Sequence, residues 1–148
     1  MVIETDAGPR DGAPTRQVVT AFLEHNGRIL LLRRSPLVRS FGGRWAAVSG
    51  SIPPGTSPLE QAYQEISEEV GLARDQVAFV RRGPPMLVRD SARTWLIHPM
   101  LFRTRDPSRV RLNWENTEAR WAPPSSISGL VTVPDLHIAW ELLSPWRA

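Results

Sequence analysis

Cysteine and lysine are both missing from this chain of 148 residues. Without cysteine there is no disulfide, no thiolate nucleophile and no zinc site with cysteine ligands. Without lysine, every permanent positive side chain is an arginine, whose planar guanidinium can donate two hydrogen bonds to one phosphate group. The formal net charge of +3 is therefore as compatible with a phosphorylated small molecule as with a polynucleotide.

Long apolar runs and a secretion signal are missing as well. No run reaches the roughly 18 residues of a membrane-spanning helix, and the N-terminus lacks a basic stretch followed by an apolar one. With 41% hydrophobic and 22% charged residues, the composition is that of one ordinary globular domain. We therefore expect a soluble, cytoplasmic protein that has no membrane partner.

The order of the predicted elements indicates an α/β domain with a mixed sheet. Residues 1–15 are expected to form a polar arm rich in glycine and proline, and residues 16–148 the domain. Asn26-Gly27 favours a type I′ turn, which predicts a hairpin between the apolar runs 17–25 and 28–34. Further strands are predicted at 45–52, 77–82, 86–89, 94–103 and 119–122, and a closing helix at 135–143. Helices that cover a sheet bury its apolar faces.

The segment from Ser57 to Gly71 carries several signals for one helix. Ser57 is a good N-cap, Pro58 suits the first helical position, and Glu60 completes a capping box. Gly71 is a typical C-cap. The buried stripe of this helix is predicted to consist of four apolar residues at helical spacing, namely Leu59, Ala62, Ile66 and Val70.

Three glutamates of the same helix, Glu65, Glu68 and Glu69, follow each other at i, i+3 and i+4. This spacing places them on one face, where like charges repel. One interpretation is a solvated face. The other is a site for a hard divalent cation such as Mg²⁺, which prefers carboxylate oxygens and often shares phosphate oxygens of a substrate.

The 23 residues from Gly50 to Leu72 resemble the Nudix box, whose pattern is G-x5-E-x7-R-E-U-x-E-E-x-G-U with U a bulky aliphatic residue. Seven positions agree in register: Gly50, Glu65, Ile66, Glu68, Glu69, Gly71 and Leu72. The resemblance extends more loosely over residues 17–143. It implies a Nudix-type (MutT-like) α/β/α sandwich, a Mg²⁺ or Mn²⁺ cofactor held by Gly50, Glu65, Glu68 and Glu69, and hydrolysis of a diphosphate linkage.

Two positions depart from that pattern, since Thr56 replaces its first glutamate and Gln64 its arginine. A carboxylate and a guanidinium are lost together, so neither charge is left buried and unpaired. The three helix carboxylates are unaffected. The departures motivate a second hypothesis, a non-catalytic Nudix module that binds a nucleotide or a protein partner, although the intact glutamates argue against it.

Further candidate residues follow from the resemblance. Family members carry an acidic residue in a late loop, as base or extra ligand; Glu118 is our candidate for catalysis, and Glu115 lies close to it. The residues that we expect to contact substrate are Arg33, Arg34, Arg44, Trp45 and Glu115. Each of these has an alternative interpretation, as a solvated surface residue or, for the tryptophan, as part of the core.

The leading hypothesis is a pyrophosphate-bond hydrolase acting on a nucleoside diphosphate derivative or a nucleoside triphosphate. Isopentenyl diphosphate isomerase shares the fold but relies on cysteine, which is absent. A nucleic-acid substrate is supported by charge alone and by no motif. The sequence leaves open whether the protein is a homodimer.

Overall fold

The computed structural model describes residues 3–6, 15–89 and 93–144. Within these ranges the strands are β1 (Ile3–Asp6), β2 (Thr15–His25), β3 (Arg28–Arg34), β4 (Trp45–Ala46), β5 (Val48–Ser51), β6 (Val77–Arg82), β7 (Met86–Arg89), β8 (Thr94–Thr104) and β9 (Asn116–Ala122). The α-helices are α1 (Pro58–Val70) and α2 (Leu136–Glu141), and short 3-10 helices span Arg74–Gln76, Pro107–Arg109 and Pro124–Gly129. None of the helices in the described part of the chain combines the length and apolar character needed to span a bilayer.

The described strands join in one mixed sheet. Hydrogen-bonded neighbours follow the order β1-β7-β8-β2-β3-β4, while β5 pairs with β2, β6 with β8 and β9 with β3. The pairs β1–β7 and β2–β8 are parallel, whereas β2–β3, β2–β5 and β3–β9 are antiparallel. The predicted fold class is confirmed.

The central strand β2 is buried on both faces because a helix covers each face. Side chains of a strand alternate between its two faces. Leu23 accordingly belongs to the core that contains Ile66 of α1, and the adjacent Phe22 to the core that contains Leu136 of α2. The sheet therefore lies between two helical layers, and α1 and α2 cover opposite faces.

The hairpin predicted at Asn26-Gly27 is confirmed. Both residues have positive φ angles, 50° and 78°, as a type I′ turn requires. On either side of the turn, Glu24 pairs with Ile29 and His25 with Arg28.

Three local predictions differ from the structure. The strand expected at 45–52 is two shorter strands, β4 and β5, which pair with β3 and β2 respectively. The closing helix spans Leu136–Glu141 and is shorter than 135–143 at both ends; it begins after Asp135, which has a left-handed φ of 60°. Residues 3–6 of the expected arm form a strand on β7, and residues 1–2 and 7–14 of that arm lie outside the described residues.

Candidate active site

The helix α1 begins and ends at the predicted residues. Ser57 Oγ accepts a hydrogen bond of 3.1 Å from the Glu60 backbone N–H, and Gly71 ends the helix at a φ of 71°. The predicted capping box is half formed, since the Glu60 carboxylate accepts a 2.7 Å hydrogen bond from Arg74 instead. These caps fix which residues of α1 face the sheet.

Two of the three helix glutamates are buried under β5. Glu65 is 8% exposed and Glu69 is 1% exposed, whereas Glu68 is exposed and accepts a 3.1 Å hydrogen bond from the Gln64 amide. Because the buried pair is spaced at i, i+4, its side chains are neighbours on the helix surface. The interpretation as a fully solvated face therefore fails for Glu65 and Glu69.

The Glu65 carboxylate is held against the backbone of β5. Its Oε2 accepts a 2.8 Å hydrogen bond from the buried Gln61 amide. A Cβ atom at Gly50 would overlap this carboxylate. Only glycine lets the strand approach so closely, which gives Gly50 a steric role in the site.

The Glu69 carboxylate is held by two donors from different strands. Its Oε2 accepts a 3.2 Å hydrogen bond from the Ser49 N–H of β5, and its Oε1 accepts one of 3.0 Å from the Asn116 amide of β9. Asn116 is buried and was missed by the sequence analysis, since only the pairing of β9 with β3 brings it under α1.

Burial raises the pKa of Glu65 to about 7 and the pKa of Glu69 to about 8. The negative charge of Glu115 raises both pKa values further, while the amide donors Gln61 and Asn116 each lower the pKa of the carboxyl that they contact. Two adjacent buried carboxylates are stable only if a proton or a cation compensates their charge.

Arg34 lies close enough to Glu69, and Glu115 close enough to both buried carboxyls, to interact with them electrostatically. Burial lowers the pKa of Arg34, and the charges of Glu69 and Glu115 partly offset that effect. The Arg34 Nε donates a 3.0 Å hydrogen bond to the Ser40 carbonyl, and the Ser35 N–H donates one of 2.8 Å to the Glu115 carbonyl. The first bond holds the Arg34 side chain against loop 35–44, and the second joins the backbone of that loop to the loop before β9.

A cleft of about 440 Å³ opens beside this constellation, within the range of small-molecule sites. Its floor includes Gly50 of β5 and apolar side chains of β2, β7 and β8. Glu115 is the single acidic residue among its described lining residues. Its basic and aromatic lining residues include Arg16, Arg34, Arg39, Arg93, Phe41, Trp95 and Trp114.

The three helix glutamates are not among the described lining residues of the cleft, and four further candidate residues lie outside that lining as well. The exposed Glu118 carboxylate accepts a 3.3 Å hydrogen bond from Arg33, and this pair lies across β9 and β3. Arg44 is exposed, with its guanidinium 5.6 Å from the centre of the Phe41 ring. Trp45 is 7% exposed and belongs to the core. The structure therefore brings Arg34 and Glu115, but not these four, to the cleft.

The donor set fits a hard divalent cation. Glu65 and Glu69 offer carboxylate oxygens, which Mg²⁺ and Mn²⁺ prefer, and as adjacent buried groups they can both be ionised only beside a positive charge. Within residues 3–6, 15–89 and 93–144, however, no three His, Asp or Glu side chains lie close enough together to hold one metal ion.

Thr56 and Gln64, the two departures from the box, are uncharged and form hydrogen bonds with different partners. The Gln64 amide donates to Glu68, and the Thr56 backbone N–H donates a 3.2 Å hydrogen bond to the Pro53 carbonyl. Whether the two losses of charge compensate each other stays a prediction.

Comparison with known proteins finds similarity both in sequence and in structure. An octanoyltransferase of Myxococcus xanthus is 30% identical over 119 residues, which are 73% of this chain. The chain spans 30% of the length of that relative.

Several solved structures share the fold. A MutT protein from Methanosarcina mazei Go1 has a TM-score of 0.72 at 24% identity, covering 88% of this chain and 93% of that one. The E. coli ORF135 protein has a TM-score of 0.68 at 21% identity, covering 95% and 98%. A C. elegans Ap4A hydrolase in a binary complex has a TM-score of 0.68 at 15% identity, covering 86% and 92%.

The assignment to a family rests on the sequence. A family model described as the NUDIX domain matches residues 14–140, which is most of the chain and includes α1 with its buried glutamates. The chain belongs to the Nudix family.

Proposed function

We propose that this protein hydrolyses the diphosphate linkage of a nucleoside diphosphate derivative or a nucleoside triphosphate, with Mg²⁺ or Mn²⁺ as cofactor. The observation that carries the proposal is the buried pair Glu65 and Glu69, which lies beside Arg34 and Glu115 at an arginine-lined cleft. Buried acids with raised pKa values next to a cleft are typical of functional sites. They are costly to the fold, so a structural role alone does not account for them.

The residues that would hold the cation are Glu65 and Glu69, with Glu68 on the exposed side of the helix and the Gly50 backbone next to Glu65. When bound, the ion supplies positive charge that offsets the diphosphate and lowers the pKa of a water molecule. Ser49 and Asn116 keep the Glu69 carboxylate in a fixed orientation through their hydrogen bonds. Such fixed ligand geometry is what partners behind a metal ligand provide.

The remaining steps use the side chains of the cleft. Arg34 holds a phosphate oxygen and stabilises the charge that grows on it during the reaction. Glu115 accepts a proton from the attacking water while the oxygen of that water bonds to phosphorus. The bond from that phosphorus to the bridging oxygen breaks, and the bridging oxygen leaves with the second phosphate. This assigns to Glu115 the role of base that we expected for Glu118, because Glu118 pairs with Arg33 outside the cleft lining.

The test is a screen for phosphate-containing products over sugar nucleotides, dinucleoside polyphosphates and nucleoside triphosphates, with Mg²⁺, with Mn²⁺ and with a chelator. We expect turnover of at least one class that requires the metal. The variant Glu69→Gln should lose roughly a hundredfold or more in rate. The control Glu60→Gln alters an exposed glutamate of the same helix and should keep the activity of the wild type.

A second candidate function is a nucleotide-binding module without catalysis. Two observations favour it. No three acidic or histidine side chains of the described residues lie close enough together to hold one metal ion, and Thr56 and Gln64 depart from the pattern of the box. Binding of nucleotides by calorimetry without turnover of any of the three substrate classes would support the module and refute the hydrolase.

A further inference from the structure

Three aromatic side chains line the cleft, and two of them are already engaged with neighbours. The rings of Phe41 and Trp95 lie 6.2 Å apart between centroids, tilted by 50°. The Arg44 guanidinium lies 5.6 Å from the Phe41 ring, and the Arg93 guanidinium lies 5.6 Å from the Trp95 ring. Both faces of this aromatic pair are therefore partly covered by protein.

Trp114 differs from the other two aromatic residues. Its side chain is 64% exposed although it lines the cleft, and it has no ring or hydrogen-bond partner among the described residues. Leu37, which is 80% exposed, lines the same cleft. Exposed apolar side chains that share one cleft indicate a binding surface, whereas scattered ones do not.

The loop that carries Trp114 is held in place on both sides. The Glu115 N–H donates a 2.9 Å hydrogen bond to Asn113 Oδ1, and the Asn113 amide donates one of 3.2 Å to the Glu115 carboxylate. The Ser35 N–H also donates to the Glu115 carbonyl at 2.8 Å. The exposed indole is thus presented by a fixed backbone, which lowers the entropic cost of binding a ligand.

We infer that Trp114 is a specificity-determining residue whose indole stacks on a planar heteroaromatic base, so that the cleft selects nucleotides over diphosphates without a base. The inference rests on the proposed function for the identity of the scissile group, but base binding does not depend on turnover. An indole face attracts any nucleobase by stacking. Arg34 and Arg39 in the same cleft supply the positive charge that the phosphates of such a ligand require.

The position of Trp114 agrees with this role. It directly precedes Glu115, which faces the buried carboxylate pair. The base would then lie beside the reacting phosphates, separated from them by one ribose. A contact with another protein is the competing explanation for exposed Trp114 and for Leu37, which is 80% exposed and lines the same cleft. The adjoining arginines favour a small anionic ligand.

The experiment compares the binding of AMP and of ribose 5-phosphate by calorimetry, and it needs no turnover. The two probes share the sugar phosphate and differ in the base. We expect Trp114→Leu to weaken AMP binding by about tenfold, and Trp114→Phe, which keeps an aromatic face, by less than about threefold. Ribose 5-phosphate should bind all three proteins equally. Val131→Ala is the matched control, because Val131 is 71% exposed but not among the described lining residues.

Each outcome of the experiment decides the inference. An AMP affinity that is unchanged in Trp114→Leu, an equal loss for ribose 5-phosphate, or a wild type that binds no AMP would overturn it. A change of oligomeric state in Trp114→Leu by light scattering, with AMP binding intact, would assign the surface to a protein contact instead. Loss of AMP binding in Trp114→Leu, together with a wild type that hydrolyses no diphosphate, would refute the proposed function and leave this inference standing.

Discussion

Replacing Glu69 by glutamine should stabilise the metal-free protein at alkaline pH. Burial raises the pKa of Glu69 from 4.5 to about 8, so in this interval the folded state binds more protons than the unfolded state. The free energy of unfolding therefore falls as pH rises from about 5 to about 8. At 1.36 kcal/mol per pKa unit, the loss due to this group is on the order of 5 kcal/mol as an upper bound. Glutamine has nearly the shape of the protonated acid and does not ionise.

Glutamine keeps one of the two acceptor oxygens of Glu69. Its carbonyl oxygen can accept from the Ser49 N–H or from the Asn116 amide, and the other donor loses its partner, at a cost of about 1–3 kcal/mol that does not depend on pH. Urea unfolding in EDTA at pH 5.5 and pH 8.5 measures the effect. We expect the loss of stability between these pH values to be less than half as large in Glu69→Gln as in the wild type, and unchanged in the control Glu60→Gln. The same loss in Glu69→Gln as in the wild type would refute the account of the buried pair.

Three further predictions concern the same site. Gly50→Ala should lower the free energy of unfolding by roughly 1–3 kcal/mol and weaken Mn²⁺ binding, because its Cβ displaces the Glu65 carboxylate; wild-type values in urea unfolding and Mn²⁺ titration would contradict this. Mg²⁺ should raise the melting temperature of the wild type more at pH 8 than at pH 6, because the cation competes with protons for the carboxylates. An equal rise of the melting temperature at both pH values, measured by scanning calorimetry, would contradict this. Thr56→Glu and Gln64→Arg together should be better tolerated than the sum of the single changes, and additivity within about 0.3 kcal/mol in a double-mutant cycle would show independent sites.

The elements around the site were predictable from the sequence because their signals are local. Asn26-Gly27 permits the positive φ angles of the turn, Ser57 caps α1, and Gly71 ends it. Each of these effects depends on a few consecutive residues and on backbone geometry alone. The segment 3–6 had no such signal, since its strand depends on pairing with β7, far along the chain.

The choice between Glu115 and Glu118 was not predictable from spacing. The pairing of β9 with β3 is irregular between Arg33 and Arg34, so that Arg33 pairs with Glu118 but Arg34 pairs with Asn116. An extra residue of this kind changes which side chains face the site. Glu118, the candidate that followed from the resemblance, accordingly pairs with Arg33, whereas Glu115 lines the cleft.

The burial of individual side chains was also not predictable from local sequence patterns. Helical spacing placed Glu65 and Glu69 on one face, but whether that face meets water or the sheet depends on how β5 packs against α1. Trp45 was the tryptophan expected to contact substrate, yet it is 7% exposed, whereas Trp114, which lines the cleft, is 64% exposed. Long-range packing decides such differences, and neither composition nor periodicity reports it.

The central claim, that the buried glutamate pair serves the hydrolysis of a diphosphate linkage, is tested most directly by phosphorus NMR in ¹⁸O-enriched water. A nucleoside diphosphate derivative, a dinucleoside polyphosphate and a nucleoside triphosphate are each incubated with the wild type and with Glu69→Gln, with and without Mg²⁺. We predict that the wild type with Mg²⁺ converts at least one of them, that one product carries ¹⁸O on phosphorus, and that Glu69→Gln does so roughly a hundredfold more slowly or worse. Conversion at equal rates by both proteins, or no conversion of any substrate by the wild type, would contradict the claim.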